Sequence, residues 1–570
     1  MSLFFATYRF TLAIGQTTEV VKDSVVLLTD SMLLLSGIWI IGPRFRWTAC
    51  LVIAVCVFFI YANLLYFRYW HDIIPFHTII SVKSYNGLVF QNVPGLIRCP
   101  DAVYLLFVCI PIAAYRLLFV RNIPPVKASH KAVVVTVIFL MFATAQILAT
   151  NAIKNYIRTT ENSNYTFLQA LDNRFTMQSN RVCMWKASGL AMYSLVQVCH
   201  IPDYRKKVLA PDQRRVIESF INSRQSVGVS SAFSGNRNHN LILIIVESLN
   251  SGVIDARVNG VEVTPILNRL VRDHGTISCV DVVSQVKDGG SSDGQMIYNT
   301  GLLPINNGCA ALIFGDNTFP SLVSSLKPSS AKEIIAEAGY IWNHDVTSES
   351  YGYDELIQKV GDSRYAEEHG HDAALFKRAL DEIPKMPQPY LLEITSLSMH
   401  KPFMDKGASF HENLTELDGI SAPLANYYRM TNYFDTQLGM FIDELKRMGL
   451  YDNTIIVIAS DHNTEIEGVE NSEDSPIVFM ALNTGESMRI DRTVGQIDVF
   501  PTILDVMGCE NMSWRGVGIS MLDQENSSAV DADGNLIGRS SAMYDRLKAE
   551  AWDVSDLIIR SDYFSDPGIR

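Results

Sequence analysis

The sequence predicts an α/β protein in two parts: an N-terminal bundle of transmembrane helices, then a domain built on a mostly parallel central sheet. The long apolar runs lie almost entirely within the first 150 positions of the 570-residue chain. From residue 241 onward, short strand-like runs alternate with helical patterns, which is typical of parallel strands joined by helices. A chain of this length exceeds one ordinary domain, so both parts fit within it.

The N-terminal part contains four segments of about twenty apolar residues, each long enough to cross a bilayer. They lie near 24–42, 47–66, 102–121 and 131–150. Asp30 is unusual at membrane depth, and we expect it to face the helix bundle or one end of its span. The first twenty or so positions include Arg9 and lack a small-residue cleavage site, so they do not indicate a removed signal peptide. They fit either an interfacial helix or an extra span.

The loops between these segments predict an orientation. The connection after the first span carries Arg44 and Arg46, and the one after the third carries Arg121, Lys127 and Lys131. Short loops rich in Lys and Arg are cytoplasmic by the positive-inside rule. We therefore expect a multi-pass protein of the bacterial cell (inner) membrane with everything after residue 150 on the outer side.

The chain divides into three regions: transmembrane residues 1–150, an extracytoplasmic connector at 151–236, and an α/β domain at 237–570. The connector ends in a Ser-, Gly- and Asn-rich stretch that is typical of a linker. The strongest strand patterns in the last region are Leu241–Val246, Tyr390–Thr395, Thr454–Ala459 and Ile477–Leu482. The strongest helical patterns are Ala331–Ala338, His371–Ile383, Asn426–Met448 and Ala542–Ala551.

Charge and cysteine usage narrow the function classes. A formal charge of -13 argues against a nucleic-acid partner. The nine cysteines include no C-x-x-C spacing of a zinc site. Cys183 with Cys199, and Cys279 with Cys309, are candidate disulfides in an extracytoplasmic region.

Polar residues follow two of the predicted strands and one glycine turn. The apolar run Leu241–Val246 ends on Glu247, and the run Thr454–Ala459 ends in Ser460-Asp461-His462. Between them, Gly289-Gly290-Ser291-Ser292-Asp293 presents a hydroxyl at a predicted helix start. Each feature alone is common as a solvated strand end, a loop or a helix cap. Together, at the carboxyl ends of parallel strands, they suit one divalent cation beside a nucleophile.

These residues resemble those of lipoteichoic-acid synthases, phosphoglycerol transferases in the sulfatase branch of the alkaline-phosphatase superfamily. The resemblance covers roughly residues 24–525 and implies an alkaline-phosphatase/sulfatase-like domain. The motifs occur in the family's order: Glu247-Ser248, the Gly-Gly-Ser-Ser-Asp turn, Asn299-Thr300-Gly301-Leu302-Leu303-Pro304, Ser398-Met399-His400-Lys401-Pro402-Phe403, Ser460-Asp461-His462, Gln496–Leu504 and Trp514–Gly518.

The resemblance implies roles for the residues at the strand ends. Ser291 is the expected nucleophile in the place of the family's threonine, and Ser292 is its nearest competitor. Glu247, Asp461, His462 and the Ser291 hydroxyl are the expected ligands of one divalent cation. Their oxygen and imidazole donors suit Mn²⁺, our expected ion, with Mg²⁺ and Zn²⁺ as alternatives.

The resemblance also implies a substrate-binding side of the site. His400, before Pro-Phe, corresponds to a histidine that binds the phosphate or acts as a general acid. Trp342-Asn343-His344 is similar to a Trp-Asn-Arg motif, with His344 in the place of an arginine that holds phosphate; a histidine makes a weaker, pH-dependent contact. Ser292 and Asp293 are expected to bind substrate as well.

The implied activity moves a phosphoglycerol head group from phosphatidylglycerol to an extracytoplasmic glycan or polymer through a phospho-serine intermediate. A phosphoethanolamine transferase is the first alternative. A sulfatase or phosphodiesterase is a further one, although Ser291 lacks the Pro and Arg of the sulfatase C/S-x-P-x-R sequence. A membrane-anchored binding protein without activity would not need the complete set of Glu247, Ser291, Asp461 and His462.

Overall fold

The computed structural model describes residues 2–13, 27–33, 36, 46–70, 73–74, 96–118, 128–160, 181–199, 204–224, 231–401, 403–404, 414, 417, 419–464, 466, 475–509 and 512–566. The chain forms two compact units, Met1–Tyr204 and Arg205–Arg570.

The helices of the first unit are α1 Ser2–Ala13, α2 Arg46–Trp70, α3 Ala102–Leu118, α4 Ala128–Thr160 and α5 Arg181–Cys199. Those of the second are α6 Pro211–Arg224, α7 Pro265–Leu270, α8 Ser291–Thr300, α9 Ala310–Ile313, α10 Leu322–Leu326, α11 His344–Tyr351, α12 Arg364–His369, α13 His371–Glu382, α14 Ala422–Arg447, α15 Val499–Val506 and α16 Ala542–Ser561. The main sheet contains β1 Asn240–Val246, β2 Ile277–Val283, β3 Ser330–Ile335, β4 Glu355–Ile357, β5 Tyr390–Thr395, β6 Thr454–Ser460, β7 Ile477–Leu482, β8 Met488–Ile490 and β9 Val494–Gly495.

Two helices of the first unit contain stretches long and apolar enough to cross a membrane. These stretches are Cys50–Arg68 in α2 and Ser129–Leu148 in α4, and they overlap the second and fourth predicted spans. Helix α3 overlaps the third span with 17 described residues. Most of the first predicted span lies outside the described residues, although residues 27–33 are helical. Leu105, Phe139 and Leu148 are exposed, which suits contact with lipid.

Asp30 faces the interior of the first unit, as its position in an apolar segment predicts. Its carboxylate accepts the backbone N–H groups of Ala191 at 2.8 and 3.0 Å and of Met192 at 3.3 Å. These donors become available because Gly189, with φ +78°, interrupts α5. A side chain at Gly189 would collide with Asp30. Asp30 therefore caps the second half of a broken helix.

The second unit is organised around β1 at the middle of a nine-stranded sheet. The strand order is β8-β2-β7-β6-β1-β5-β3-β4, with β9 beside β2, and β7 is antiparallel to both of its neighbours. Leu241, Leu243 and Ile245 enter the core on one face of the sheet. Ile242 and Ile244 enter the core on the other face. Burial on both faces explains why this strand is an unbroken apolar run.

The four predicted strands are present, but the helix predicted at Ala331–Ala338 is wrong. Residues Ser330–Ile335 form β3, which pairs in parallel with both β4 and β5. Alanine, lysine and glutamate favour helices locally, and tertiary pairing inside a sheet overrides that preference.

The candidate disulfide between Cys279 and Cys309 is also absent. Both thiols are buried and free. Cys309 Sγ lies 3.2 Å from Ser292 Oγ, and Cys279 Sγ lies 3.7 Å from the carbonyl oxygen of Arg492. Cys199 is free as well, and the side chain of Cys183 lies outside the described residues.

Candidate active site and metal centre

Two adjacent parallel strands deliver the acidic residues to one edge of the sheet. Strands β1 and β6 pair in register, with Val246 opposite Ser460. The residues that follow, Glu247 and Asp461-His462, therefore emerge side by side. Ligand atoms of Glu247, Asp461 and His462 all lie within 4.8 Å of one another. These three residues form a candidate metal-binding triad.

The electrostatics of the triad favour a cation between its side chains. Asp461 is 1% exposed, and its Oδ2 has no hydrogen-bond partner among the described residues. Burial raises the pKa of Asp461 to about 7, and the nearby Glu247 charge adds to the effect. Burial also opposes ionisation of Glu247, but His462, His400 and hydroxyl hydrogen bonds outweigh it and lower the pKa of Glu247. Carboxylate oxygens and imidazole nitrogen are donors that Mn²⁺, Mg²⁺ and Zn²⁺ share.

The orientation of His462 suits a metal ligand. Its Nδ1 lies 2.8 Å from the carbonyl oxygen of Asn463, so hydrogen bonding assigns the proton to Nδ1. The Nε2 lone pair then faces Glu247 Oε1 at 3.6 Å and Asp461 Oδ2 at 3.5 Å. A backbone carbonyl that fixes the ring in this way is a usual partner of a metal-bound histidine.

Ser291 is the hydroxyl that faces the triad. It is the first residue of α8, directly after Gly290, whose φ of +49° turns the chain into the helix. Ser291 Oγ lies 3.2 Å from Glu247 Oε2 and 3.2 Å from His462 Nε2. Since the hydroxyl also lies at a helix N-terminus, the local field favours negative charge there.

Ser292 and Asp293, both predicted to bind substrate, instead make hydrogen bonds within their own loop. Ser292 Oγ donates to the carbonyl of Gly289 at 2.8 Å. The Asp293 carboxylate accepts the backbone N–H groups of Lys287 at 2.9 Å and Gly289 at 3.0 Å. Both side chains are buried. Their contacts hold the turn that presents Ser291.

Sequence reasoning missed the part that Gly294 plays in this arrangement. A Cβ at Gly294 would overlap the backbone carbonyl of Asp461. The absence of a side chain therefore lets α8 approach the chain that carries Asp461 and His462. A glycine inside a predicted helix was the available signal, because such a glycine often has a packing reason.

Two of the residues predicted on the substrate side, His344 and His400, interact electrostatically with a further acid, Glu337. His400 is exposed, and its Nδ1 lies 2.8 Å from the carbonyl oxygen of Lys401. Charges on His344 and His400 both act on Glu337, whose pKa burial raises. His344 is buried, and Trp342 is half-buried with φ +51°. The sequence analysis did not identify Glu337.

The fold and this site define a sulfatase-type domain of the alkaline-phosphatase superfamily. The Sulfatase family model matches residues 239–509. The model of the lipoteichoic acid synthase N-terminal domain, a membrane domain, matches residues 2–196. The chain thus joins a sulfatase-type domain to an N-terminal domain like that of lipoteichoic acid synthases, and it is anchored in a membrane.

Curated relatives of the chain are named lipoteichoic acid synthases. It is 24% identical to lipoteichoic acid synthase 2 of Bacillus subtilis over 588 residues, which cover 96% of this chain and 84% of the relative. It is 25% identical to the lipoteichoic acid synthase of Staphylococcus aureus strain USA300 over 523 residues, which cover 86% and 77%.

Two solved structures that align with part of this chain are the following. The lipoteichoic acid synthase LtaP of Listeria monocytogenes aligns with a TM-score of 0.47 and 20% identity, covering 60% of this chain and 97% of LtaP. The Streptococcus pyogenes phosphoglycerol transferase GacH, solved in complex with sn-glycerol-1-phosphate, aligns with a TM-score of 0.41 and 12% identity, covering 60% and 90%.

Proposed function

We propose that this protein is a membrane-anchored, metal-dependent phosphoglycerol transferase that uses phosphatidylglycerol as its donor. The acceptor is an extracytoplasmic glycan or polymer. The observation that carries the proposal is the position of Ser291 Oγ, 3.2 Å from both Glu247 Oε2 and His462 Nε2. The relatives named lipoteichoic acid synthases support the choice of head group.

The reaction proceeds in two displacements at phosphorus. Ser291 Oγ attacks the phosphodiester, the bond to the diacylglycerol oxygen breaks, and the glycerophosphate group stays on the serine. His400 supplies a proton to the departing alkoxide. An acceptor hydroxyl then attacks the phosphoserine and gives its proton to His400, the Ser291–phosphorus bond breaks, and the serine oxygen and the protonated His400 are both regenerated.

The remaining residues bind and orient the reacting groups. Glu247, Asp461 and His462 would hold the cation, and Mn²⁺ is our proposed ion. When bound, it supplies positive charge that favours the serine alkoxide and polarises the phosphoryl oxygen. Ser292 and Asp293 position the nucleophile turn, while His344 and Trp342 border the substrate.

The membrane region gives the reaction its location. We propose a multi-pass anchor at residues 1–150, a connector at 151–236 and an extracytoplasmic catalytic domain at 237–570, since the basic short loops favour that orientation. Anchoring keeps the site beside a lipid substrate that stays in the bilayer, which raises the effective concentration of the donor.

Mass spectrometry tests the donor and the intermediate together. The detergent-solubilised full chain is incubated with Mn²⁺ and phosphatidylglycerol, alongside Ser291→Ala. We expect release of diacylglycerol and a glycerophosphate adduct on Ser291 that the variant lacks. An adduct from phosphatidylethanolamine alone would replace the proposal with phosphoethanolamine transfer, and no adduct from either lipid would overturn both.

A further inference from the structure

A buried polar network connects the nucleophile helix α8 to strands β3 and β5 of the main sheet. Glu333 in β3 and Glu393 in β5 are register partners in adjacent parallel strands, and both are 0% exposed. Two carboxylates side by side without solvent are unfavourable unless donors or positive charges compensate them. The fold must therefore supply such groups.

Helix α8 supplies the donors. Gln295 Nε2 donates to Glu333 Oε1 at 2.8 Å and to Glu393 Oε1 at 2.5 Å. Asn299 Nδ2 donates to Glu393 Oε2 at 2.6 Å, and the Tyr353 hydroxyl donates to the same oxygen at 2.7 Å. Gln295 and Asn299 are four residues apart and share one face of the helix. The helix that begins at Ser291 is thus bonded to both carboxylates.

His344 supplies the positive charge. Its Nδ1 lies 2.7 Å from Glu333 Oε1, and the imidazole is 4% exposed. Nε2 has no hydrogen-bond acceptor among the described residues, so it is the nitrogen left for a ligand. Burial disfavours the imidazolium, but the neighbouring carboxylates outweigh burial and raise the pKa of His344.

The acids facing His344 come from two strands. They are Glu333 in β3, Glu337 just after β3, and Glu393 in β5. Burial and the Glu333 charge raise the pKa of Glu393 to about 7. Of these acids, Glu333 is the one whose oxygen lies within hydrogen-bond distance of the His344 imidazole.

We propose that Glu333 is a positioning residue, which holds His344 as a charged donor for the substrate phosphate and, through Gln295, fixes that donor relative to Ser291. The inference rests on the proposed function, because it takes a phosphate-bearing substrate as the ligand.

The pH dependence of transfer tests the inference. We expect kcat/KM of the full chain to fall as pH rises through the raised His344 pKa, with Mn²⁺ saturating. Glu333→Gln removes the carboxylate and moves this fall to lower pH, with about a tenfold loss for each unit of displacement at pH values above the fall. Adding His344→Arg to Glu333→Gln restores activity at alkaline pH, because arginine keeps its charge.

Glu393→Gln is the matched control. It changes an adjacent carboxyl that acts on His344 through its charge alone and makes no hydrogen bond to the imidazole, so the alkaline fall should move less than in Glu333→Gln. A Glu333→Gln profile that is merely the wild-type profile scaled down at every pH would overturn the inference. If Glu333→Gln does not fold, glycerol phosphate binding by Ser291→Ala with and without His344→Arg decides: the alkaline loss of affinity disappears if His344 is the titrating donor, and its persistence overturns the inference.

Binding of glycerol phosphate separates this inference from the proposed function. Calorimetric titration of Ser291→Ala requires no turnover, so it reports on His344 even if the wild type transfers no phosphoglycerol. We expect affinity to fall with rising pH, and to fall at lower pH when Glu333→Gln is added. Identical pH dependence in the two proteins would refute the role of Glu333.

Discussion

Replacing the two adjacent serines separately distinguishes the nucleophile from its neighbour. Ser291→Ala removes the only hydroxyl of the pair that lies 3.2 Å from both Glu247 and His462. Loss of a nucleophile costs on the order of 10⁴-fold to 10⁶-fold in kcat. The stability of the fold should change little, because this serine is the more exposed of the two.

Ser292→Ala should have the opposite effect. It removes the hydrogen bond to the carbonyl of Gly289 and the contact with Cys309 Sγ, while that carbonyl still accepts the backbone N–H of residue 292 at 3.1 Å. Because that acceptor stays partnered, we expect a loss of about 0.5–1.5 kcal/mol in unfolding free energy. The rate of transfer should stay within about tenfold of the wild-type rate. A tenfold change corresponds to about 1.4 kcal/mol in activation free energy, which is what a small displacement of the turn could cost.

The assay measures diacylglycerol release from phosphatidylglycerol and thermal unfolding for both variants. The reasoning predicts an inactive, stable Ser291→Ala and an active, slightly less stable Ser292→Ala. If Ser292→Ala were inactive while Ser291→Ala retained transfer, the nucleophile would be the other serine and the described turn geometry would not represent the active form.

Three further predictions concern the metal centre and the core. Glu247→Gln should abolish the stabilisation of the fold by Mn²⁺. For the wild type, this stabilisation reaches about 2.7 kcal/mol when the Mn²⁺ concentration is a hundred times Kd. A variant whose unfolding temperature rises with Mn²⁺ as much as that of the wild type would contradict the prediction. Because burial raises the pKa of Asp461 to about 7, Mn²⁺ must displace a proton at lower pH. Calorimetry should therefore show an affinity for Mn²⁺ that weakens about tenfold for each pH unit below 7. An affinity that does not change with pH would contradict this prediction. Arg515→Ala removes the ion-pair partner of buried Asp505, so urea unfolding should report a loss of about 3–5 kcal/mol, whereas the exposed control Arg447→Ala should unfold at nearly the same urea concentration as the wild type.

The local sequence pattern was sufficient to predict a strand wherever both faces of that strand are buried. Leu241–Val246 and Ile477–Leu482 are apolar throughout, and both form fully buried strands. Ala331–Ala338 contains strong helix formers, so local propensity predicted the wrong element. There the pairing of β3 between β4 and β5 decided the structure, and no local signal reports such pairing.

In the candidate site, too, local sequence predicts some features and the packing of distant residues decides others. Glu393 lies within an otherwise apolar run, which was a readable sign of a buried acid that needs a partner. The partners come from residues 98 and 94 positions earlier, Gln295 and Asn299. Similarly, the sequence presented His344 as a weaker substitute for arginine, whereas the structure pairs it with Glu333.

Sequence by itself determined the chemistry available to this protein: a glycine turn carrying hydroxyls, acids after apolar strands, and apolar helices that anchor it in a membrane. These follow from short-range rules, because residue type and spacing dictate strand, turn and helix. Only the tertiary structure decided that Ser291 rather than Ser292 faces the triad, and that Glu333 holds His344. Side-chain direction and the partners of a buried charge depend on which distant elements pack together, and packing is a property of the whole chain.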